Sequence, residues 1–555
     1  MKELRNVMVP MRDGVQLAVD IYIPDGSGPF PALFSMSAYG KEVQAWSGIY
    51  PTFHEIGDLD YFINKGYAWV VADSRGKYPS EGRFNLLDKE EQQDGYELVE
   101  WIAHQPWCNG SVGGMGMSYF TMINYLIAAL QPPSLKTIVA IGGLFDLYRD
   151  VIYYGGLYHS GFLHAWLGGL QEGCYPPECI APSENWQPPS NLVQDAVKNS
   201  TDGPYYEERS LSSKYDKVKV PVYQIIGPTT LTHRAMFKAY QSLNVPKKLM
   251  VGTGSAFHFL YTEPVSHEIG RWFDYWLKGI DTGIMEEPRV IIHVPGAEEW
   301  RYEQDYPIER TVWTNFYLRT GENTSASEPP YGLLSQDMPG EDKPDSYSYP
   351  ESQRKVASEV PVLAFSTPPL KQDMEITGPG SLVLYASSTT DDTPWIVRID
   401  DEAPDGSISV IGFGWLRASH RELDNAKSMP GRPFHTHKNP TLIEPNKVYM
   451  YEIEIFPMIR AVKAGHRLRL RIASSDFAGR DGPIQVSFRH RGPVVNTIYH
   501  DRQYPSHLVL PLIPPATSPI ELRPNMTYVP DPLASKKWLG FHEIPAPEPR
   551  ATTSK

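Results

Sequence analysis

The twelve residues Tyr119–Leu130 (YFTMINYLIAAL) are apolar on nearly every side. A helix of that composition has no face to give to water, so the fold must cover it all round. Directly before it, residues 111–117 (SVGGMGM) are strand-like, and no loop separates the two. A strand running straight into a buried helix belongs to a layered α/β domain, with helices on both faces of a mostly parallel sheet.

The flanking residues repeat this grammar. Residues 7–10 and 15–24 form a hairpin across Arg12-Asp13-Gly14. Residues 31–36, 67–73 and 137–141 read as buried strands. Residues 90–104 place Tyr96, Val99, Trp101 and Ile102 at helical spacing. The alternation stops at 146–215, which hold an aromatic stretch (Tyr153, Tyr154, Tyr158, Phe162, Trp166), a Pro- and Cys-containing loop and polar helical pieces. It resumes with strands at 220–226, 248–252 and 289–294 and an amphipathic helix at 268–279. Beyond about 305, short alternating runs such as SLVLYAS, WIVRID, HRLRLRIASS and HLVLPL are split by Pro, Gly and Asp turns, the pattern of a β-sandwich. Residues 321–355 read as a surface excursion and the last 30 or so as a loosely attached tail.

Composition excludes several classes. Lys+Arg minus Asp+Glu is 51 − 65 = −14, which gives no electrostatic case for nucleic-acid binding. No apolar run is long enough to span a membrane. The N-terminal residues MKELRNVMVPMRDG lack the apolar stretch of a secretory signal. Three cysteines, Cys108, Cys174 and Cys179, make no disulfide framework, although the last two are close enough to pair. A cytoplasmic, reducing setting is expected. His435 and His437 have no Cys or acidic cluster beside them, so no metal is expected, and no cofactor motif is present.

The chemistry-bearing signal is Gly116-Met117-Ser118-Tyr119. A strand, a Gly-x-Ser turn and a buried helix are the context of a nucleophile elbow. The turn lifts the Ser118 hydroxyl above the strand ends. The Tyr119 N–H, at the helix start, can then hold an oxyanion. Phe120 stands where the last glycine of G-x-S-x-G is usual, and the same residues also suit a serine capping a helix.

Together with DSRG at 73–76, SEG at 80–82, DGYELVEWIAHQPWCNGSVGGMGMSY at 94–119, FDLYRD at 145–150, RWFDYWLKGIDTGI at 271–284 and AGHRLRLRIASSDF at 464–477, this elbow resembles the cocaine esterase/X-Pro dipeptidyl-peptidase group of α/β-hydrolases. The resemblance implies an α/β-hydrolase domain at 1–145 and 216–305, a helical cap at 146–215, and a jelly-roll β-sandwich at 306–555. The composition shifts fall at the same places. It also implies a tyrosine hydroxyl as second oxyanion donor, matched by Tyr39 in Ser37-Ala38-Tyr39-Gly40-Lys41. Thr121 replaces the final glycine of the family elbow.

The acid and base carry over less cleanly. Thr230 stands at the position of the family's triad aspartate, so the acid is unassigned. The family histidine falls on Ala256, with His258 two residues later as base and His233 as the alternative base. Two reaction classes stay open. One is a serine hydrolase acting on an ester or amide of a bulky small molecule through a Ser118 acyl-enzyme. The other is a non-hydrolytic step on the same scaffold: cyclisation, isomerisation, C–C cleavage or acyl transfer.

Overall fold

The computed structural model describes residues 1–44, 55–77, 79–172, 185–227, 230–252, 263–321, 331–349, 361–476, 485–490, 492–518 and 520. Ten strands form the N-terminal sheet. Their spatial order is Lys2–Pro10, Gln16–Ile23, Ala68–Asp73, Phe30–Ser37, Cys108–Met117, Leu135–Ile141, Val222–Ile226, Lys247–Val251, Val290–Val294 and Glu299–Glu303. The run from Ala68–Asp73 to Val290–Val294 is parallel, and the outer strands are antiparallel. These inner strands read as unbroken apolar runs because helices cover both faces. The helix Tyr119–Leu130 is buried at every position from Tyr119 to Ala128.

Leu135–Ile141 and Val222–Ile226 are neighbours in the sheet although 80 residues separate them in sequence. The intervening chain leaves the sheet as a π-helical turn, Leu147–Ile152, and two short strands. It continues through the helices Phe162–Glu172, Leu192–Lys198 and Pro204–Arg209. This excursion lies over the strand ends that carry the elbow.

The C-terminal part is an eleven-stranded all-β sheet. Its longest strand, Met374–Ser388, pairs with Tyr449–Val462, with Val494–Tyr499 and with His507–Leu512, which brings the two faces of the sandwich together. Residues 321–355 are not only a surface excursion: Tyr331–Ser335 and Asp345–Tyr349 both pair into this sheet. Their polar, serine-rich sequence hid them, because the strand Asp345–Tyr349 buries only Tyr347 and Tyr349.

The sandwich docks firmly. Val486–Ser487 adds to the strand Leu157–His159, and the Arg417 amide donates to the Gly155 carbonyl at 2.8 Å. Arg234, on the helix Thr230–Ser242, ties Asp150 and Glu454 together (2.5 and 3.0 Å).

Candidate active site

Ser118 sits between strand and helix with φ 55° and ψ −114°. A non-glycine residue in that region costs about 1–3 kcal/mol and persists only where its surroundings enforce it. Here they do. The Ser118 amide donates to Ile141 O (2.9 Å), the Met117 amide to Glu55 O (2.8 Å), and the Met122 amide to Ser118 O (3.0 Å). The Thr121 hydroxyl lies 2.6 Å from Gly116 O and accepts the Ile141 amide at 2.7 Å. Thr121, at the position of the family's last glycine, is therefore a clamp across the turn. Gly116 has φ 143°, and a Cβ there would meet Phe120 Cβ at 2.4 Å.

The Ser118 side chain makes no hydrogen bond to the helix it precedes, so it is not a capping serine. It is only partly buried, between buried Met117 and buried Tyr119. Beside it the first amides of the helix lack intrahelical partners, as at any helix start. The elbow thus presents a hydroxyl and an N–H-rich helix end on one side of the strand tips.

Tyr39 follows the neighbouring strand Phe30–Ser37 and is buried. Its ring meets Tyr119 edge-on at 5.7 Å and Phe120 at 6.2 Å. The Trp166 indole N–H donates to its hydroxyl oxygen at 2.8 Å. Tyr39 thus packs against the two residues that follow Ser118. The expected contribution of Tyr119 is its backbone N–H. Its own hydroxyl points inward to both Glu91 oxygens (2.8 and 2.7 Å), which also accept the Ser74 hydroxyl at 2.5 Å and the Leu87 amide at 2.8 Å. Burial raises the Glu91 carboxyl to about 7 despite these donors. Sequence reasoning missed this support. Its only trace is a Glu on the amphipathic helix Lys89–Ala103.

The base and acid are less complete. His258 lies outside the described residues, as do Cys174, Cys179 and the side chain of Thr230, whose backbone opens the helix Thr230–Ser242. His233 is buried, with Nδ1 3.0 Å from Pro457 O and Nε2 2.9 Å from Gly227 O. Both ring nitrogens are thus occupied by backbone carbonyls, which fix the ring in place. Asp146 is committed to Arg149 (3.1 Å). Against the cost of burial, Arg149, Arg234 and Lys238 hold its carboxyl down at about 2.

Of the aromatic cap residues, Trp166 alone is seen to reach Tyr39. Tyr154 packs on Trp415 and Phe456 of the sandwich, Tyr153 stacks on Tyr148, and Phe162 is exposed. His437 is buried against His420 and His435. Among the described residues no group of three His, Cys, Asp or Glu side chains could hold a metal ion, and no helix is long and apolar enough to cross a membrane.

The sequence model of the X-Pro dipeptidyl-peptidase (S15) family matches residues 13–258, and that of the X-Pro dipeptidyl-peptidase C-terminal non-catalytic domain matches 282–509. The chain belongs to this family. It is 29% identical to the cocaine esterase of Rhodococcus sp. (strain MB1 Bresler), over 92% of this chain and 98% of that one. It is 22% identical to the Xaa-Pro dipeptidyl-peptidase of Ligilactobacillus salivarius, over 75% of this chain and 60% of that one. A CocE/NonD family hydrolase from Staphylococcus aureus has the same fold, with a TM-score of 0.80 at 23% identity over 92% of this chain and 93% of that one. This member of the X-Pro dipeptidyl-peptidase family is a hydrolase-type enzyme with an α/β-hydrolase domain and a C-terminal β-sandwich.

Proposed function

We propose that this enzyme hydrolyses an ester or amide of a bulky, partly apolar small molecule through an acyl-enzyme on Ser118. The observation that carries the reading is the strained Ser118 at the helix start, uncommitted to a cap, with Tyr39 packed on the next residue, Tyr119. In this reading the Ser118 oxygen attacks the carbonyl carbon. The charge moves to the carbonyl oxygen, where the Tyr119 N–H and the Tyr39 hydroxyl hold it. A phenol donates without bringing a full charge, and donors fixed in advance need no reorganisation as the charge develops.

His258 takes the serine proton and returns it to the leaving group, which departs as the acyl-enzyme forms. Water, deprotonated by the same histidine, then releases the acid. With Thr230 at the family's aspartate position, the imidazolium lacks that carboxylate's support, so acylation of unactivated amides is slow. The test is a fluorophosphonate probe read by intact mass. One adduct on Ser118, absent in Ser118→Ala, with turnover of p-nitrophenyl esters, supports the proposal. Native-substrate turnover that survives Ser118→Ala would instead assign the pocket to non-hydrolytic chemistry.

A further inference from the structure

The turn that carries Tyr39 and the side chain of Tyr119 belong to one buried hydrogen-bond network, with Glu91 at its centre. Asp73 ends the strand Ala68–Asp73, and Ser74 follows it. These two residues hold the turn at 37–41 from both ends. The Lys41 amide donates to Asp73 Oδ1 at 2.8 Å, and the Ser74 amide donates to Ser37 O at 3.0 Å. Within the turn the Tyr39 amide donates to Ser37 Oγ at 3.1 Å. The Ser74 hydroxyl points the other way, to Glu91 Oε1 at 2.5 Å, and the Tyr119 hydroxyl reaches both Glu91 oxygens. The edge-on contact of the Tyr119 and Tyr39 rings closes the circuit. Ser37, Ser74, Glu91 and Tyr119 are each at most 1% exposed.

Helix architecture accounts for only part of this. Glu91 is the third residue of the helix Lys89–Ala103, and its amide donates to the N-cap Asp88 at 3.0 Å. An acidic residue at this position commonly reaches back to an amide before the helix, as Glu91 Oε2 does to Leu87 at 2.8 Å. That bond needs one oxygen at a helix surface. It does not call for a carboxyl taken wholly out of water with two hydroxyls aimed at it. Burying an acid is expensive, and apolar side chains of similar volume often serve stability as well or better. What the carboxyl adds is direction. It fixes the Tyr119 ring, and through Ser74 and Ser37 it fixes the turn that presents Tyr39.

We propose that Glu91 is a positioning residue of the oxyanion site: through the Tyr119 hydroxyl and through Ser74 it holds the Tyr119 amide and the Tyr39 phenol in the relative placement that stabilises the tetrahedral intermediate. The proposal rests on the ester-hydrolysis reading above. Glu91 itself touches neither substrate nor reacting atoms. Its effect is on alignment, where a displacement of about 1 Å can cost about 10² in rate.

The test compares Tyr119→Phe, Ser74→Ala and Glu91→Gln on p-nitrophenyl butyrate, with active sites counted by end-point fluorophosphonate titration. Tyr119→Phe and Ser74→Ala each remove one hydroxyl and should lower kcat/KM about tenfold, the worth of one hydrogen bond. Glu91→Gln keeps the size but exchanges an acceptor for a donor, and should lower it by about 10². Adding Tyr119→Phe to Glu91→Gln should cost nothing more. The inhibition constant of an aryl trifluoromethyl ketone, whose adduct with Ser118 places an oxyanion in the site, should rise by the factor that kcat/KM falls. Values per active site equal to wild type in all three variants, with only thermal stability lowered, overturn the proposal.

A readout without turnover keeps the two proposals separable. In Ser118→Ala protein carrying 3-fluorotyrosine at position 39, the fluorine resonance should move on Glu91→Gln and on Ser74→Ala. It should stay in place on Glu100→Gln, a change on the same helix at a residue bonded to Ser134. If no ester turns over and Ser118 is not acylated, the hydrolysis reading fails and this resonance decides whether Glu91 holds Tyr39. A resonance indifferent to Glu91→Gln overturns the role.

Discussion

The indole N–H of Trp166, on the cap helix Phe162–Glu172, donates to the hydroxyl oxygen of Tyr39, beside the elbow of the catalytic domain, at 2.8 Å. The bond makes the phenol an acceptor toward the cap and fixes where its oxygen sits. A phenol that accepts one hydrogen bond is a better donor in the next, because bonds in a chain polarise one another. In the proposed mechanism this bond makes the helix that carries Trp166 a support of the oxyanion donor.

Tyr39→Phe should lower kcat for p-nitrophenyl esters by about 10²–10³, the usual cost of one oxyanion donor. Trp166→Phe keeps an aromatic ring but removes the pyrrole part of the indole with its N–H, so a loss of about tenfold is expected. The double variant should be no worse than Tyr39→Phe, since Trp166 acts through Tyr39. Steady-state kinetics of the three variants checks this. Additive losses would show that the indole touches substrate independently.

Gly116→Ala should disable the elbow. The new Cβ would lie 2.4 Å from Phe120 Cβ, at a φ that side chains rarely adopt. Either the helix start or the strand end must shift, and both carry the Ser118 geometry. Loss of Ser118 labelling is expected, with destabilisation of about 1–3 kcal/mol, measured by urea unfolding. Thr121→Val removes the hydroxyl bonds to Gly116 and Ile141 but adds no clash, so it should weaken labelling less.

Much of the fold was legible because the parallel strands are short apolar runs bounded by turns. The helix read from residues 119–130 is the observed Tyr119–Leu130, and the run at 31–36 is the core of Phe30–Ser37. Strands with polar outer faces were harder. Asp345–Tyr349 has one buried residue in two and no β-branched residue, and Ile408–Arg417 begins with exposed residues, Ile408 and Ser409. In the site, Ser118 and Tyr39 were legible because a local motif fixes each. Trp166 and Glu91 were not, because their contacts to Tyr39 and Tyr119 come from 127 and 28 positions away. Asp146, in the FDLYRD motif, has its carboxylate paired with Arg149.

Stability should depend on pH through buried carboxyls. Burial raises Asp73 to about 7, Glu91 to about 7 and Asp94 to about 6. A carboxyl raised in the folded state stabilises while protonated. Its contribution is complete below the unfolded value near 4 and is lost as pH rises through 6–7. Asp146 acts in the opposite sense, since its charge partners hold it at about 2 and its contribution is lost as pH falls from about 4. Thermal midpoints should therefore be highest at mildly acidic pH and fall toward pH 8. For Glu91, a shift from 4.5 to about 7 corresponds to about 3 kcal/mol. Glu91→Gln, which cannot ionise, should show a shallower decline between pH 5 and 8 by calorimetry. An unchanged decline would mean that Glu91 ionises in the folded enzyme as it does in the unfolded chain.

The incomplete triad predicts which substrates turn over. In a serine protease, exchanging the triad aspartate for asparagine costs about 10⁴ in kcat, because the histidine loses its orientation and the support of its charge. Thr230 cannot supply that carboxylate, and Asp146 and Asp150 are engaged by Arg149 and Arg234. Activated esters need little help at the leaving group, so p-nitrophenyl acyl esters should turn over while the matching p-nitroanilides do not. His258→Ala should slow both acylation by fluorophosphonate and release of the acyl group. His233→Ala should alter stability, since His233 joins Gly227 to Pro457, yet leave the labelling rate of the folded fraction unchanged. Rapid labelling in His258→Ala would remove that residue from the mechanism. Thr230→Asp provides the constructive counterpart: if the family geometry is retained around this position, adding the carboxylate should raise the labelling rate and bring anilides within reach. A variant that folds and shows no gain would mean that proton transfer at Ser118 follows a different route from that of the family's complete triad.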